Sequence, residues 1–366
     1  ALYAAPVNSQ GSGLMVYFSV VYILWGVTYT MMDIPYWSMI PAVTDTQKDR
    51  ENLSVIGRTC AGVGSALISM FTMLAVGLLG GGNDVIGFRY VALIVAVIFV
   101  ITELICCLFI RERDEGDMQV ASVKEMFRAL FGNDQALTVV ATIVLINMAL
   151  YLTSNFVIYF FKYDFGGDAW RESYSIFSTV GGAFQILGMM ILYPLLRKKK
   201  MPNEKIFLIS IGMAMVGYVL LLLCCLFGFT HNLVLLAIPG VIVFASNGIL
   251  SVLTTIFLSG SVDYGEMQTG RREESVIFSM QTFVVKAASG VAVFLTGIGL
   301  DIIGLVGNTD DEAVAVVQSA STLTGLRLLM TVLPMVGLFV ALLVFRKKFK
   351  LTDQYAEELH QRLQKG

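Results

Sequence analysis

Apolar runs longer than about 18 residues recur along the whole of this 366-residue chain, and nothing else in it constrains the fold as strongly. Hydrocarbon offers no water to bond, so the backbone of each run must satisfy its own amides and carbonyls. Continuous runs of this length do so as helices rather than as a barrel. Composition agrees: 56% of residues are hydrophobic and 14% charged, against about 25% charged in soluble domains. Mean hydropathy is +0.76. The expected class is an all-α, polytopic membrane protein.

Nine spans can be drawn, at 14–40, 53–79, 89–110, 136–161, 173–196, 204–229, 232–260, 274–300 and 322–345. Lys and Arg gather in alternate loops. Lys48 and Arg50 follow the first span, Arg111, Arg113, Lys124 and Arg128 the third, and Arg197 to Lys200 the fifth. Arg271 and Arg272 follow the seventh, and Arg346, Lys347, Lys348 and Lys350 the ninth. The positive-inside rule places this set and the C-terminal tail in the cytoplasm. Residues 1–13 then start outside with no cleavable signal, so the expectation is that an odd number of upstream spans is missing. The longest cytoplasmic connection, 111–135, carries a short amphipathic stretch at 123–131 and separates three spans from six. Three further upstream spans would give six plus six, the arrangement of major facilitator transporters. The expected division is therefore 1–110, 111–135 as central loop, 136–345, and 346–366 as tail.

No enzyme signature stands out: no Ser–His–Asp set, metal cluster or P-loop. Cys60, Cys106, Cys107, Cys224 and Cys225 all fall in apolar segments and read as packing residues. His231 and His360 belong to a loop and the tail. Basic residues are confined to loops and tail, which gives no nucleic-acid surface.

Three ionisable residues do stand inside apolar spans: Asp33, Arg58 and Lys286. A charge at bilayer depth costs about 2.5–3.5 kcal/mol, so it faces a polar cavity and acts there. Tyr29, Asp33 and Trp37 fall within an arc of about 80° on one helix face. A carboxylate accepts paired hydrogen bonds from vicinal hydroxyls, and an aromatic face suits the C–H side of a pyranose ring. The same spacing equally fits an Asp held by a neighbouring Arg beside packed aromatics. Pro35 removes a donor and predicts a kink. Arg58 should lie at a depth similar to Asp33, where an ion pair and a guanidinium fork to sugar hydroxyls are compatible roles. Lys286 lies near mid-membrane, with Thr282 one turn away. Glu103, Asn147, Asn155, Gln185 and Asn247 read as ordinary interhelical or snorkelling groups. Asp263, Glu266 and Arg272 flank the loop after the seventh span. They are either surface charges worth little or a gate that locks one face through ion pairs.

The run Tyr29-Thr30-Met31-Met32-Asp33-Ile34-Pro35-Tyr36-Trp37-Ser38, followed by Lys48-Asp49-Arg50-Glu51 and Arg58, resembles the glycoside–pentoside–hexuronide:cation symporters, in particular their melibiose permease-like branch. Val262-Asp263-Tyr264-Gly265-Glu266, Glu274-Ser275 and Gln281-Thr282-Phe283-Val284-Val285-Lys286 resemble the family's later loop and eleventh helix. The resemblance covers essentially the whole chain. It implies a major facilitator-type bundle of twelve helices, of which the nine spans are the fourth to twelfth and residues 1–7 the tail of the third. It implies symport of a galactoside such as melibiose with Na⁺, Li⁺ or H⁺ by alternating access. Asp33, Trp37, Tyr29 and Arg58 match sugar contacts, Thr282 and Lys286 match cavity residues, and Thr30 matches a hydroxyl at the cation site. The family's first two helices supply further carboxylates and have no counterpart here. Ser251 stands where the melibiose permease carries a Trp.

The expected localisation is the bacterial inner membrane. The expected partners are a small sugar, a monovalent cation, the lipid bilayer and a cytoplasmic regulatory protein, with no cofactor beyond the transported ion and no nucleic acid. Rival readings are a carrier of glucuronides or pentosides, a membrane enzyme acting on a lipid-linked sugar, and a non-transporting sugar sensor.

Overall fold

The computed structural model describes residues 12–44, 46–81, 84–110, 128, 130–167, 170–270, 274–306 and 317–363. Every regular element among them is helical. Seven helices among the described residues are long and apolar enough to cross a membrane, against the nine spans expected. The other two spans are also continuous helices: α1 (Ser12–Ala42) and α2 (Gln47–Gly80). Asp33 and four tyrosines dilute the first, and Lys48, Asp49, Arg50, Glu51 and Arg58 the second. α1 runs unbroken through Pro35.

The chain divides into two compact units, 1–44 with 63–119 and 45–62 with 120–366, so the boundary falls inside α2. The first unit holds α1, the second part of α2, and α3 (Asp84–Phe109). α2 and α3 approach closely because Gly87 has no side chain: a Cβ there would stand 2.3 Å from the Val76 carbonyl oxygen. Small residues at such a crossing are what brings helices together in lipid. The most apolar window of α3 buries none of its residues within the chain, and Leu93, Leu104 and Leu108 are exposed. Such a surface suits hydrocarbon rather than water.

The second unit contains the first part of α2 and seven further helices. α4 (Asp134–Tyr159) is capped by Asn133, whose side chain accepts from the Gln135 and Ala136 amides. It widens at its end into a π-helical turn, Phe160–Phe165, stopped by Gly166 at φ 63°. α5 (Trp170–Leu187) continues through a second such turn, Gly188–Leu192, into Tyr193–Lys198. Pro194 explains the second turn, since it has no amide for the α-helical ladder. α6 (Asn203–Leu226), α7 (Leu233–Thr269), α8 (Glu274–Ile302) and α9 (Ala320–Lys348) follow.

α7 is buried along most of its length from Leu236 to Tyr264. Gly188 and Gly248 let α5 and α7 meet backbone to backbone: a Cβ on Gly248 would lie 2.1 Å from the Gln185 carbonyl oxygen. Phe156, Phe160, Phe161, Phe177, Leu221 and Leu326 fill the apolar core between α4, α5, α6 and α9. A short helix not expected from sequence, α10 (Asp353–Leu363), occupies the tail, with Leu351, Tyr355 and Leu359 packed against Tyr264. Residues 1–7, most of 123–131, and Arg111, Arg113, Lys124, Arg271 and Arg272 lie outside the described residues.

Candidate functional site

On α1 the three residues at four-residue spacing do converge. Tyr29 Oη donates to Asp33 Oδ1 at 3.2 Å and Trp37 Nε1 donates to the same oxygen at 3.0 Å. Two donors, from the turn before and the turn after, hold the carboxylate in one orientation. Oδ2 takes neither of these bonds. The aromatic surface extends further than Tyr29. Trp25 stacks on Tyr29 with ring centroids 5.6 Å apart, and Tyr22 lies 5.7 Å from Trp25. Sequence reading missed Tyr22 and Trp25, although Trp25 stands four and Tyr22 seven residues before Tyr29, on the same stripe. Thr30 Oγ1 donates to its own helix, at the Gly26 carbonyl, at 2.8 Å.

In the second unit the first part of α2 runs antiparallel to the end of α7, and the seam between them is polar. Arg50 forms a buried ion pair with Asp263, their side chains 4% and 6% exposed. Two turns along α2 and two turns back along α7, Arg58 Nε donates to Thr255 Oγ1 at 2.8 Å. The register brings Ser54 and Ser259 midway between these pairs. Both are wholly buried, and neither hydroxyl has a hydrogen-bond partner among the described residues; the same holds for Arg50 Nε. Asp263 is therefore a buried, paired group rather than a surface charge. Glu266 is half-buried, its carbonyl accepting the Gly270 amide at 2.8 Å, and Arg272 lies outside the described residues.

A second network adjoins the start of that seam. Glu51, next in sequence to Arg50, takes a bidentate bond from Arg197 at 3.0 and 2.7 Å, and Asn203 Nδ2 donates to it at 2.9 Å. Arg197 also reaches Asp353 of α10 at 2.5 Å and the Met201 carbonyl at 2.9 Å. Tyr193 Oη donates to Asn203 Oδ1 at 3.0 Å. One guanidinium on α5 thus reaches α2, α10 and the turn before α6, its planar fork suiting two carboxylates at once. In the sequence Arg197 is one of four consecutive basic residues, and nothing there distinguishes it from its neighbours.

The remaining candidates are separate from these groups. On α8 Thr282 is buried and Lys286, one turn on, is exposed. Asn155 Nδ2 makes an interhelical bond to Thr296 at 3.3 Å, as read for such residues, whereas Asn147 bonds its own helix at Ile143. Asn247 differs: its buried amide nitrogen has no partner among the described residues. A fourth ionisable group inside an apolar span, not singled out from the sequence, is Arg327 of α9. It pairs in bidentate fashion with Asp164 of the first π-helical turn, both bonds 2.7 Å. Among the described residues no three His, Cys, Asp or Glu side chains group as metal ligands.

Comparison with known proteins gives these features a family. Residues 1–353 match the family described as MFS/sugar transport protein. The chain is 28% identical over 364 residues to an uncharacterized symporter, YjmB, of Bacillus subtilis, covering 97% of the chain and 75% of that protein. It is 26% identical over 365 residues to the isoprimeverose transporter of Lactiplantibacillus pentosus, covering 97% and 72%. It is 25% identical over 367 residues to the lactose permease of Lactobacillus helveticus; there it covers 95% of itself and spans about half, 54%, of the relative. The all-helical fold, the apolar spans and the match over residues 1–353 agree: this chain belongs to the MFS/sugar transport protein family, a family of transporters and not of enzymes.

Proposed function

We propose that the chain is the larger part of a cation-coupled sugar symporter. The observation that carries this reading is the Asp33 carboxylate, held through one oxygen by Tyr29 and Trp37 beside the Tyr22–Trp25–Tyr29 stripe. An oriented carboxylate binds paired hydroxyls, and the stacked rings receive the apolar face of a pyranose. Relatives named for lactose, raffinose and isoprimeverose support a sugar as the solute. Arg58, Thr282 and Lys286 are further proposed sugar contacts on the family resemblance, and Thr30 a proposed contributor to a site for Na⁺, Li⁺ or H⁺. Within glycosides, a galactoside such as melibiose is the first candidate. Ser251, small where the melibiose permease has a Trp, favours a carrier with room for a different or larger glycoside as the second.

In this reading the molecule is an inner-membrane helical bundle of the major facilitator type, with the tail in the cytoplasm. Sugar and cation bind together, and alternating access moves them because each raises the affinity for the other. The Arg50–Asp263 seam and the Arg197 network act as the lock of one face; Asp263, Glu266 and Arg272 are the residues read from the sequence as gating.

The test is sugar binding by the intact protein and its Asp33→Asn variant. An amide keeps the shape but replaces one acceptor oxygen by a donor. Melibiose or lactose binding should fall at least tenfold in Asp33→Asn while the fold is kept. Near-normal binding of every sugar that the parent binds would overturn the assignment. Uptake in liposomes under Na⁺, Li⁺ and proton gradients identifies the coupling ion.

A further inference from the structure

α4 begins and α9 ends at the same level, and both are among the helices able to cross a membrane. Between them lies an open groove of about 350 Å³. Leu137, Ala141 and Val344 form its apolar wall, and Lys347, Lys348 and Lys350 its rim. Among the described residues the one acid lining it is Asp134, which accepts from Lys350 Nζ at 2.8 Å, so three lysines line the groove with a single carboxylate. The rim is held in place from beneath. Gln135 is wholly buried; its Nε2 donates to Asp134 Oδ2 at 2.9 Å and to the Lys348 carbonyl at 3.2 Å, while its Oε1 accepts the Lys350 amide at 2.8 Å. This ties the backbone of 348–350 to the first turn of α4.

We propose that this groove binds the phosphate-bearing headgroup of an acidic membrane phospholipid. The charge is of the right sign, and compact hydrated ammonium groups bind phosphate oxygens as point charges. The position fits as well: basic groups where spans meet the headgroup layer attract anionic lipid. The apolar wall running from the rim along both helices receives the glycerol and first acyl carbons, which a free phosphate ion would leave uncovered. Among the described residues no aromatic ring lines the groove, so it lacks what the α1 stripe offers a sugar. The proposal rests on the membrane-spanning family and not on the sugar reading.

The test uses the full-length protein, purified and reconstituted with phosphatidylglycerol and phosphatidylcholine in known ratio, with retained lipids counted by native mass spectrometry. Each lysine near an anionic lipid contributes about fivefold, so Lys347→Gln/Lys348→Gln/Lys350→Gln should weaken phosphatidylglycerol retention by about a hundredfold. Phosphatidylcholine retention and helix content should not change. Lys198→Gln/Lys199→Gln/Lys200→Gln removes another basic cluster and should retain phosphatidylglycerol as the parent does. Equal loss in both variants would reduce the effect to general surface charge and overturn the site. Full retention in the first variant would also overturn it. Displacement of the lipid by millimolar inorganic phosphate would identify a simple anion site instead.

Discussion

Ser54 and Ser259 offer a direct measure of what the α2–α7 seam costs the protein. Each hydroxyl is wholly buried and unpartnered among the described residues. Leaving such a group unbonded costs about 1–3 kcal/mol. Replacement by Ala removes the oxygen, keeps the Cβ, and raises helix propensity equally whether the seam is packed or parted. Ser54→Ala/Ser259→Ala should therefore favour the packed seam by about 2–6 kcal/mol. At about 1.4 kcal/mol per tenfold, that biases the equilibrium by about thirtyfold at the low end and about twenty-thousandfold at the high end. In a parted seam the hydroxyls meet water, so the parent suffers no such penalty there. If parting the seam belongs to the transport cycle, the double variant unfolds at a higher temperature and takes up sugar more slowly. Both quantities are measurable on the intact protein, by thermal unfolding in detergent and by initial uptake in liposomes. A variant that melts at or below the parent temperature and transports at the parent rate would refute the argument.

Other substitutions separate the pairs. Asp263→Asn should destabilise by about 3–5 kcal/mol because Arg50 is left charged and buried, whereas Arg50→Met/Asp263→Leu should recover most of that loss; melting temperatures of the three proteins decide it. Arg327→Leu strands the Asp164 carboxylate and should cost a similar about 3–5 kcal/mol. Asp164→Leu/Arg327→Leu should return to within about 1 kcal/mol of the parent, and a double variant no better than the single would contradict the pairing. Arg197→Gln should free α10, detected as faster proteolysis after residue 350 with the remaining helices protected. Gly248→Val drives a side chain into the Gln185 carbonyl, and loss of folded protein on size-exclusion chromatography is the expected result.

How much of this was readable beforehand follows from distance along the chain. The Tyr29–Asp33–Trp37 cluster needed only helix geometry, because its members are four residues apart. Arg50 and Asp263 are 213 residues apart, so their pairing depends on helix packing that no local pattern encodes. Arg327 was passed over because the leucines and methionines around it keep the window apolar. α10 was readable in part, since Leu351, Tyr355 and Leu359 recur at four-residue spacing, but its polar composition resembles an ordinary tail. The π-helical turns have no pattern of their own, although Pro194 stood as a sign of the second.

Those turns bear on which changes in length the chain can absorb. A π-helical turn lodges one residue more than an α-helix uses for the same stretch. Deleting a single residue within Gly188–Leu192 lets α5 close into an ordinary helix and leaves the residues beyond in phase. Deleting one residue earlier, between 173 and 180, turns everything up to the next irregularity by about 100°. In the first case Arg197 still meets Glu51 and Asp353; in the second the mismatch must be taken up by the wide turn itself. α5 thus carries its own one-residue slack, placed between the membrane core and the guanidinium that joins α5 to α2 and α10.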